Sequence, residues 1–220
     1  MKKLIDLLSL IGMTVTMSCK KAETAYLPSA NLLIGNFVAG GGTLTIGSTT
    51  QTVGSNASNS TPLLFGQNQI TLTNKVVTPV ATYYNQPLTA DNNGNYSLFL
   101  GGSSPTLIDP IIIKESYQNF TDSLCAVRFI NLSPNSTPVS VNITGQANGS
   151  EVTSLAYKAY SSFKQYPAKK VNANYAFQIR DAATGTLLAS YSMPTPFFHN
   201  ATIVLRGNSP TIATSLVINP

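Results

Sequence analysis

Apolar and polar residues alternate strictly in several short segments of this chain, which is the period of a β-strand with one buried face. The clearest segments are residues 43–46, 139–144 and 175–180. Clusters of Gly, Pro, Asn and Ser separate such segments. A charged fraction of only 10% leaves few residues for the solvent face of amphipathic helices. The pattern therefore predicts an all-β protein.

The alternation in the second half also predicts which side chains form the core. One parity along these strands is apolar, and we expect it to lie inside: Val139, Val141, Ile143, Tyr175, Phe177, Ile179, Ile203 and Leu205. The other parity is polar, and we expect it outside: Ser140, Asn142, Gln178 and Arg180. Register decides this assignment, because a slip of one residue would exchange the two faces.

Two short polar segments carry turn chemistry. Residues 182–185 (Ala-Ala-Thr-Gly) and residues 91–95 (Asp-Asn-Asn-Gly-Asn) each lie between apolar runs. Both segments predict β-hairpins, and in residues 91–95 Asn-Gly supplies the positive φ angles that tight turns need.

An internal repeat predicts the domain organisation. Residues 100–106 (Leu-Gly-Gly-Ser-Ser-Pro-Thr) are echoed by residues 205–211 (Leu-Arg-Gly-Asn-Ser-Pro-Thr). Each copy precedes a strand that is apolar on both parities, at 111–113 and at 216–218, as expected for strands covered on both faces.

We therefore predict a first domain over 26–118, a linker over 119–123 and a second domain over 124–220. Each domain has about 95 residues and seven or so strands, the size of an immunoglobulin-like sandwich. The predicted fold class is thus all-β, with two tandem immunoglobulin-like β-sandwich domains.

The second half also resembles a known family. Residues 127–135 (Val-Arg-Phe-Ile-Asn-Leu-Ser-Pro-Asn), the strand at 139–143 and the strand and turn at 175–185 are similar to the bacterial domain of unknown function 4397 (DUF4397). The resemblance extends over residues 126–207, and the first half is similar only through the internal repeat. It implies an exported, immunoglobulin-like sandwich, often in tandem, with no established activity or catalytic residues.

The first residues have the composition of an export signal rather than of a folded domain. Lys2 and Lys3 precede a largely apolar run at 4–15, which is shorter than the roughly 20 residues of a membrane-spanning helix. Thr-Met-Ser at 16–18 then precedes Cys19. We predict a lipoprotein signal peptide over 1–18, a lipid on Cys19 and a tether over 19–25, and the alternative is an ordinary signal peptide with an incidental cysteine.

Lipidation would anchor the protein in a membrane without any protein contact. The prediction is an outer-membrane lipoprotein on the periplasmic or the surface-exposed face. Lys-Lys-Ala-Glu at 20–23 favours the surface, because it resembles the export signal of some Bacteroides-type lipoproteins.

Groups that carry catalysis are scarce in this sequence. His199 is the single histidine, and the chain has no Gly-x-Ser-x-Gly motif, no His/Cys cluster and no phosphate-binding loop. The segment 91–95 offers one carboxylate, too few for a calcium loop. We predict no enzyme activity, no metal and no cofactor, and we interpret Cys125 as a small buried hydrophobe.

Charge is distributed unequally between the halves. Residues 124–220 hold seven lysines or arginines against two acidic residues, whereas residues 26–123 hold two against four. An exported protein is not expected to meet nucleic acid, so the predicted partners of the basic half are an anionic glycan, lipopolysaccharide core or the acidic first domain. Another envelope protein is a further predicted partner of the whole protein.

The most distinctive segment is residues 157–166, interpreted as one strand. Its alternation places Lys158, Tyr160, Lys164 and Tyr166 on one solvent face, and Lys169 and Lys170 follow. Such a face predicts binding of an anionic glycan, with lysines on the anionic groups and tyrosine rings on the sugars. The alternative is a set of lysine stems that lie over tyrosine rings and only make the strand soluble.

These observations favour a lipid-anchored, non-enzymatic structural or interaction module. A glycan-binding accessory lipoprotein is the main alternative, and an uncharacterised hydrolase is a minor one.

Overall fold

The computed structural model describes residues 29–120, 123–169, 174–194 and 199–219. The predicted signal peptide, the predicted lipidation site Cys19, the predicted tether and Lys170 lie outside the described residues. Within these ranges all regular structure is β-strand, sixteen strands in total. The predicted all-β sandwich fold is therefore confirmed.

The first domain contains eight strands in two four-stranded sheets. They are Ser29–Asn36 (β1), Leu44–Ile46 (β2), Thr52–Val53 (β3), Ala57–Leu64 (β4), Gly66–Asn74 (β5), Ala81–Ala90 (β6), Asn95–Ser104 (β7) and Leu107–Lys114 (β8). One sheet has the order β4-β1-β7-β8 and the other has the order β3-β2-β5-β6.

The second domain repeats this arrangement. Its strands are Leu124–Asn131 (β9), Val139–Ile143 (β10), Val152–Leu155 (β11), Lys164–Pro167 (β12), Asn174–Asp181 (β13), Leu187–Pro194 (β14), Asn200–Arg206 (β15) and Ala213–Asn219 (β16). The sheets have the orders β12-β9-β15-β16 and β11-β10-β13-β14. Counted from the start of each domain, the two strand orders are identical.

The repeated sequence motifs lie at equivalent places in the two domains. β1 runs parallel to β7, with Asn36 opposite Leu100, and β9 runs parallel to β15, with Asn131 opposite Leu205. The motifs at 100–106 and 205–211 form the ends of β7 and β15 and the turns that follow. In the described residues each domain has eight strands, against a prediction of seven or so.

Each sandwich encloses its own apolar core, and the predicted register of the second domain is correct. Of the eight predicted core residues, Val139, Val141, Phe177, Ile179, Ile203 and Leu205 are buried in one cluster, and Ile143 and Tyr175 pack against it partly buried. Full burial of a side chain such as Phe177 or Ile179 stabilises a domain by roughly 1.5–3 kcal/mol.

The opposite parity departs from the prediction at two positions. Ser140 and Asn142 do face away from the core, but they are only 4% and 1% exposed. The Asn142 amide donates to the side-chain oxygen of Gln178 at 3.1 Å and to the carbonyl oxygen of Ile143 at 3.0 Å. Local hydrogen bonds thus satisfy the Nδ2 group of Asn142, whereas its Oδ1 atom is buried without a hydrogen-bond partner. The alternation showed the face of each side chain but not what lies over that face.

One predicted hairpin is confirmed and the other is wrong. The segment 182–185 joins the paired strands β13 and β14, and Asp181 accepts backbone hydrogen bonds from Ala183 and Thr184. The segment 91–95 instead connects β6 in one sheet to β7 in the other. Asn93 has the positive φ expected of a turn, at 58°, but a turn motif does not determine which strands pair.

The last strand of each domain was predicted to be covered on both faces, and this prediction is wrong. β8 and β16 are edge strands of their sheets, and Ile112 and Ile218 are 40% and 43% exposed. Their neighbours Ile113 and Val217 are buried, but on the side where the two domains meet.

Candidate functional site at the junction of the two domains

A third apolar cluster lies between the domains, where the sheets that contain β1 and β9 pack against each other. We call this region the domain junction. Its buried members are Leu33, Phe37, Phe99, Ile113, Ile130, Leu132, Val204 and Val217. These side chains point away from the two domain cores, so the junction removes from water the outer faces of two sheets. Burial of this kind is the main source of stability when sheets stack.

Glycine allows the close packing on the first-domain side of the junction. A Cβ atom on Gly35 would lie 2.6 Å from a ring carbon of Phe37 and 2.7 Å from one of Phe99. These two rings stack with their centroids 6.3 Å apart. Across the junction, a Cβ atom on Gly101 would lie 3.2 Å from the Cβ atom of Leu132. Larger side chains at either glycine would push the packed groups apart.

A buried ion pair crosses the junction. Arg128 of β9 and Glu115, which follows β8, have side chains that are only 3% and 1% exposed. Arg128 Nη1 donates to Glu115 Oε2 at 2.8 Å, and Nη2 donates to Oε1. Arg128 Nε also donates to Thr202 Oγ1 at 3.0 Å. This two-pronged geometry is the strongest form of carboxylate recognition by arginine.

A chain of hydrogen bonds continues from the ion pair through the junction. Thr202 Oγ1 donates to Asn219 Oδ1 at 2.9 Å, and Asn219 Nδ2 donates to the Tyr117 hydroxyl at 3.3 Å. The Tyr117 hydroxyl also lies 3.4 Å from Ser97 Oγ. Burial raises the pKa of Tyr117. The network thus ties both sheets to the segment between the domains, and it satisfies polar groups that are costly to bury alone.

The segment between the domains is held at a second point. The Gln118 backbone amide donates to Asn200 Oδ1 at 3.1 Å, and Asn200 Nδ2 donates back to the Gln118 carbonyl oxygen at 2.9 Å. Gln165 Nε2 donates to the Gln118 side-chain oxygen at 2.7 Å. Residues 115–118, the last residues of the predicted first domain, are therefore part of the packed structure.

An open cleft of about 280 Å³ lies beside the ion pair, and aromatic rings form part of its wall. The Arg128 guanidinium carbon is 4.6 Å from the Phe163 ring centroid and 5.8 Å from that of Tyr160. Tyr160 is 48% exposed, and the other tyrosines in the described ranges are buried or half-buried. The cleft therefore combines a flat exposed ring with polar neighbours, among them Ser162 and Gln118.

A second pair of polar contacts joins the domains nearer the surface. Asp109 of β8 accepts a hydrogen bond from the Tyr157 hydroxyl at 2.8 Å. It also forms an ion pair with Lys158, whose Nζ lies 3.1 Å from Asp109 Oδ1. Burial alone would raise the pKa of Asp109, but the two hydrogen bonds and the lysine charge outweigh it and lower that pKa. Burial and the neighbouring carboxylate both raise the pKa of Tyr157.

The acidic first domain thus meets the basic second domain within one chain. Both inter-domain ion pairs place a carboxylate of the first half against a cation of the second. One of the three partners predicted from the unequal charges is therefore present in the fold itself.

The predicted binding face over residues 157–166 does not form. Lys158 lies in a turn with φ +65°, so the segment is not a single strand. Tyr160 lies opposite Ile130, which faces the junction, whereas Lys164 lies opposite Val127, which faces the second core. Residues that are directly opposite share a face of the sheet, so Tyr160 and Lys164 lie on opposite faces.

The other predicted site residues have separate surroundings. Tyr166 is 4% exposed in the second core and donates its hydroxyl hydrogen to Glu151. Lys164 Nζ lies 2.8 Å from the same carboxylate. Lys169 is exposed. Lys158 and Lys164 therefore each pair with a carboxylate, and of the five predicted residues that the structure describes only Tyr160 lines the junction cleft.

Sequence reasoning missed the two residues that form the buried ion pair. Arg128 is the one charged residue in β9, whose other residues are apolar except for Asn131 at its end. A long cation inside a buried strand needs a carboxylate partner, and this was the indication that could have found the pair. The sequence alone does not identify Glu115 among the scattered acidic residues.

Other candidate chemistry has ordinary surroundings in the described ranges. No group of three or more His, Cys, Asp or Glu residues there could hold a metal ion. Cys125 is buried, and burial raises the pKa of its thiol to about 11. His199 lies exposed just before β15. No helix in these ranges is long and apolar enough to cross a membrane.

Comparisons with known proteins add little to this description. No protein-family model matches the chain, and a search of curated proteins finds no match either. Among solved structures the chain is similar to the crystal structure of CBMbc (family CBM26) from Eubacterium rectale Amy13K in complex with maltoheptaose. The alignment covers 87% of this chain and 97% of that chain, with 8% identity and a TM-score of 0.30. A likeness of this size carries no argument about a ligand.

Proposed function

We propose that this protein is an outer-membrane lipoprotein whose two sandwiches act as one rigid, non-catalytic module for spacing or for interaction with another envelope component. The observation that carries the proposal is the domain junction, with its apolar cluster and the buried pair of Arg128 and Glu115. Domains in one chain usually move relative to each other unless their interface is large and apolar. A rigid pair of domains suits a protein that holds a surface at a set distance from a membrane.

The membrane anchor belongs to the same proposal and rests on the sequence around Cys19. The resemblance of the second domain to DUF4397 supports export in the same way. Neither argument points to a substrate, so we propose a structural or interaction module and no reaction.

The anchor is tested by replacement of the two cysteines in turn. We expect Cys19→Ala to abolish incorporation of labelled fatty acid and to move the protein from the membrane fraction to the soluble fraction. Cys125→Ala is the matched control, because Cys125 is buried, and it should leave both unchanged. A Cys19→Ala protein that remains in the membrane fraction would contradict lipid anchoring.

The rigidity of the module is tested by the distance between two spin labels. Val76 in the first domain and Leu187 in the second are 84% and 47% exposed, so both sites accept a label on an introduced cysteine. We expect a narrow distance distribution, and we expect Glu115→Gln to broaden it because the substitution removes the charge that pairs with Arg128. A broad distribution in the unsubstituted protein would contradict a rigid module.

Glycan binding at the junction cleft is the second candidate function. The exposed ring of Tyr160 favours it, because sugars stack on flat aromatic surfaces and use neighbouring polar groups such as Ser162 and Gln118. We expect Tyr160→Ala to abolish binding to an array of neutral and anionic envelope glycans. The matched control is Leu187→Ala, which removes an exposed apolar side chain elsewhere. If Tyr160→Ala and Leu187→Ala bind the glycans equally, the cleft is not the glycan-binding site.

A further inference from the structure

The two domains lie side by side and point in the same direction. The backbone amide of Glu115 donates to the carbonyl oxygen of Asn95 at the start of β7, and Gln118 is bonded to Asn200 at the start of β15. At the other end, Asn208 Nδ2 donates to the carbonyl oxygen of Ser103, which joins the turn that follows β15 to the end of β7. The first residues of β7 and β15 therefore lie at one common end of the molecule.

The chain enters the first domain at this same end. Ser29, the first residue of β1, accepts a hydrogen bond from the backbone amide of Asn93, just before β7. Leu64 lies directly opposite Ser29 in the neighbouring strand. We call this part of the surface, with Ser29, Leu64 and Phe65, the entry end.

The entry end carries an exposed apolar corner. Leu64, the last residue of β4, and Phe65, which joins β4 to β5, are 62% and 59% exposed. The Asn68 side-chain amide donates to the carbonyl oxygens of Leu64 and Gly66, both at 2.9 Å, so hydrogen bonds define the backbone of the corner. The two apolar side chains are thus presented by a structured turn.

The equivalent corner of the second domain shows that the fold does not require exposed apolar residues there. Pro167 lies opposite Leu124, as Leu64 lies opposite Ser29, so residues 167–169 correspond to residues 64–66. In the second domain Ala168 is fully buried, and the exposed residue that follows it is Lys169. The entry end therefore presents apolar side chains from one domain and a cation from the other.

We propose that the entry end lies on the lipid bilayer, with Leu64 and Phe65 in the interfacial region and Lys169 near anionic headgroups. Apolar side chains beside cations are the usual composition of surfaces that bind a membrane interface. The inference rests on the proposed lipid anchor at Cys19. The ten peptide steps from Cys19 to Ser29 span at most about 36 Å, so the anchor keeps this end close to the bilayer.

A single tryptophan at the corner tests the contact, because the chain contains no tryptophan of its own. The full chain is purified from membranes as the Phe65→Trp variant and reconstituted into vesicles of phosphatidylethanolamine and phosphatidylglycerol with brominated acyl chains. The matched control is Val76→Trp, since Val76 is 84% exposed beyond the far end of β5. We expect the emission of Phe65→Trp to shift to shorter wavelength and to lose intensity through bromine quenching, and we expect no change for Val76→Trp.

The outcomes separate this inference from the anchor on which it rests. Protein that floats with the vesicles while Phe65→Trp stays unquenched would overturn the membrane contact and leave the anchor intact. Flotation of a Cys19→Ala variant to the same extent would instead contradict the anchor. The Cys19→Ala, Phe65→Trp double variant is also measured in buffer without vesicles. Blue-shifted emission there, without later quenching, would mean that a second copy or residues 20–28 cover the corner, which would also overturn the inference.

Discussion

The two domains have the same strand order but differ at buried positions of their junction, and one of these differences is a charge. Leu33 of β1 lies opposite Ser97 of β7, and Arg128 of β9 lies opposite Thr202 of β15, so Leu33 and Arg128 occupy equivalent places. Leucine needs only apolar neighbours there. Arginine needs a carboxylate, which Glu115 supplies from the segment between the domains.

This difference explains how two similar domains can be restricted to one relative arrangement. Two similar apolar sheet faces could in principle pair with a copy of themselves as well as with each other. One face carries an arginine and the other does not. Glu115 pairs with this arginine in the junction, so any other pairing of the two faces leaves a buried charge without a partner. We infer that the ion pair selects the intramolecular junction, and the first prediction tests this hypothesis.

The largest effect is expected from removal of one member of the ion pair. Arg128→Met should lower the free energy of unfolding by about 3–5 kcal/mol, because Glu115 would stay buried without a partner. Leu33→Met at the equivalent position is the matched control and should cost less than about 1.5 kcal/mol. Urea unfolding measures both, and equal losses would contradict the argument.

A second substitution at this ion pair tests whether the charges select which sheet faces pack together. Replacement of both charges, Arg128→Leu with Glu115→Leu, should restore most of the lost stability, because an apolar pair leaves no buried charge. If the ion pair selects the junction, this double variant should also self-associate in sedimentation experiments. A double variant that remains strictly monomeric would contradict the selective role.

An intermediate effect is expected from a change of volume at the junction. Gly35 lies opposite Phe99 in the first domain, and Ile130 lies opposite Val204 at the equivalent place in the second. The first domain thus pairs a small residue with a large one where the second domain pairs two residues of intermediate size. Gly35→Ala should destabilise the protein by about 1–3 kcal/mol, because its Cβ would overlap the Phe99 ring. Thermal unfolding measures the loss.

Gly54→Ala is the control for this substitution, because the nearest atom to its added Cβ would lie at 3.7 Å, an ordinary contact. Substitution of Gly35→Ile together with Phe99→Val copies the second domain and should recover stability relative to Gly35→Ala. A Gly35→Ala protein as stable as the Gly54→Ala protein would show that the junction can relax.

A small effect is expected at the exposed inter-domain ion pair. Asp109→Asn keeps an oxygen that can accept the Tyr157 hydrogen bond but removes the charge that pairs with Lys158. We expect a loss of about 0.2–1 kcal/mol that shrinks as salt rises, because both side chains are partly exposed. The pKa of Asp109 is lowered in the fold, so its contribution is present above the ordinary value and is lost as pH falls through the lowered one. A loss that does not depend on salt would contradict an electrostatic origin.

The smallest effect concerns a turn in which the domains differ. Asp181 caps the hairpin between β13 and β14, and hydrogen bonds from Thr137 and Thr184 lower its pKa from 3.8 to about 2. The matching loop of the first domain, residues 75–80, carries the exposed Val76 instead. Thr137→Val should raise the pKa of Asp181 towards 3.8.

Carbon-detected NMR titration of the Asp181 carboxyl group follows this change. Because the pKa is lowered in the folded state, the stabilisation from the carboxylate is present above 3.8 and is lost as pH falls towards 2. An unchanged titration midpoint in Thr137→Val would show that the hydroxyl group of Thr137 does not hold the charge.

Much of the fold could be predicted because strand alternation and turn chemistry are local. The core face of Phe177 and Ile179 follows from period-two alternation, and the repeated Ser-Pro-Thr motif marks equivalent turns in both domains. The proposed lipid anchor at Cys19 also rests on local sequence. The predicted binding face failed for the same reason, since alternation over residues 157–166 contains no sign of the turn at Lys158.

Local sequence patterns were enough to predict the all-β class, the two tandem sandwiches and the inward face of the core strands, because backbone geometry and burial act on residues that are close along the chain. Other facts emerge only in the folded molecule: Arg128 meets Glu115, Tyr160 and Lys164 lie on opposite faces, and the outer faces of two sheets are buried against each other. These facts depend on which sheets stack and on how one domain lies against the other. Residues far apart along the chain set that arrangement together, so no local pattern contains it.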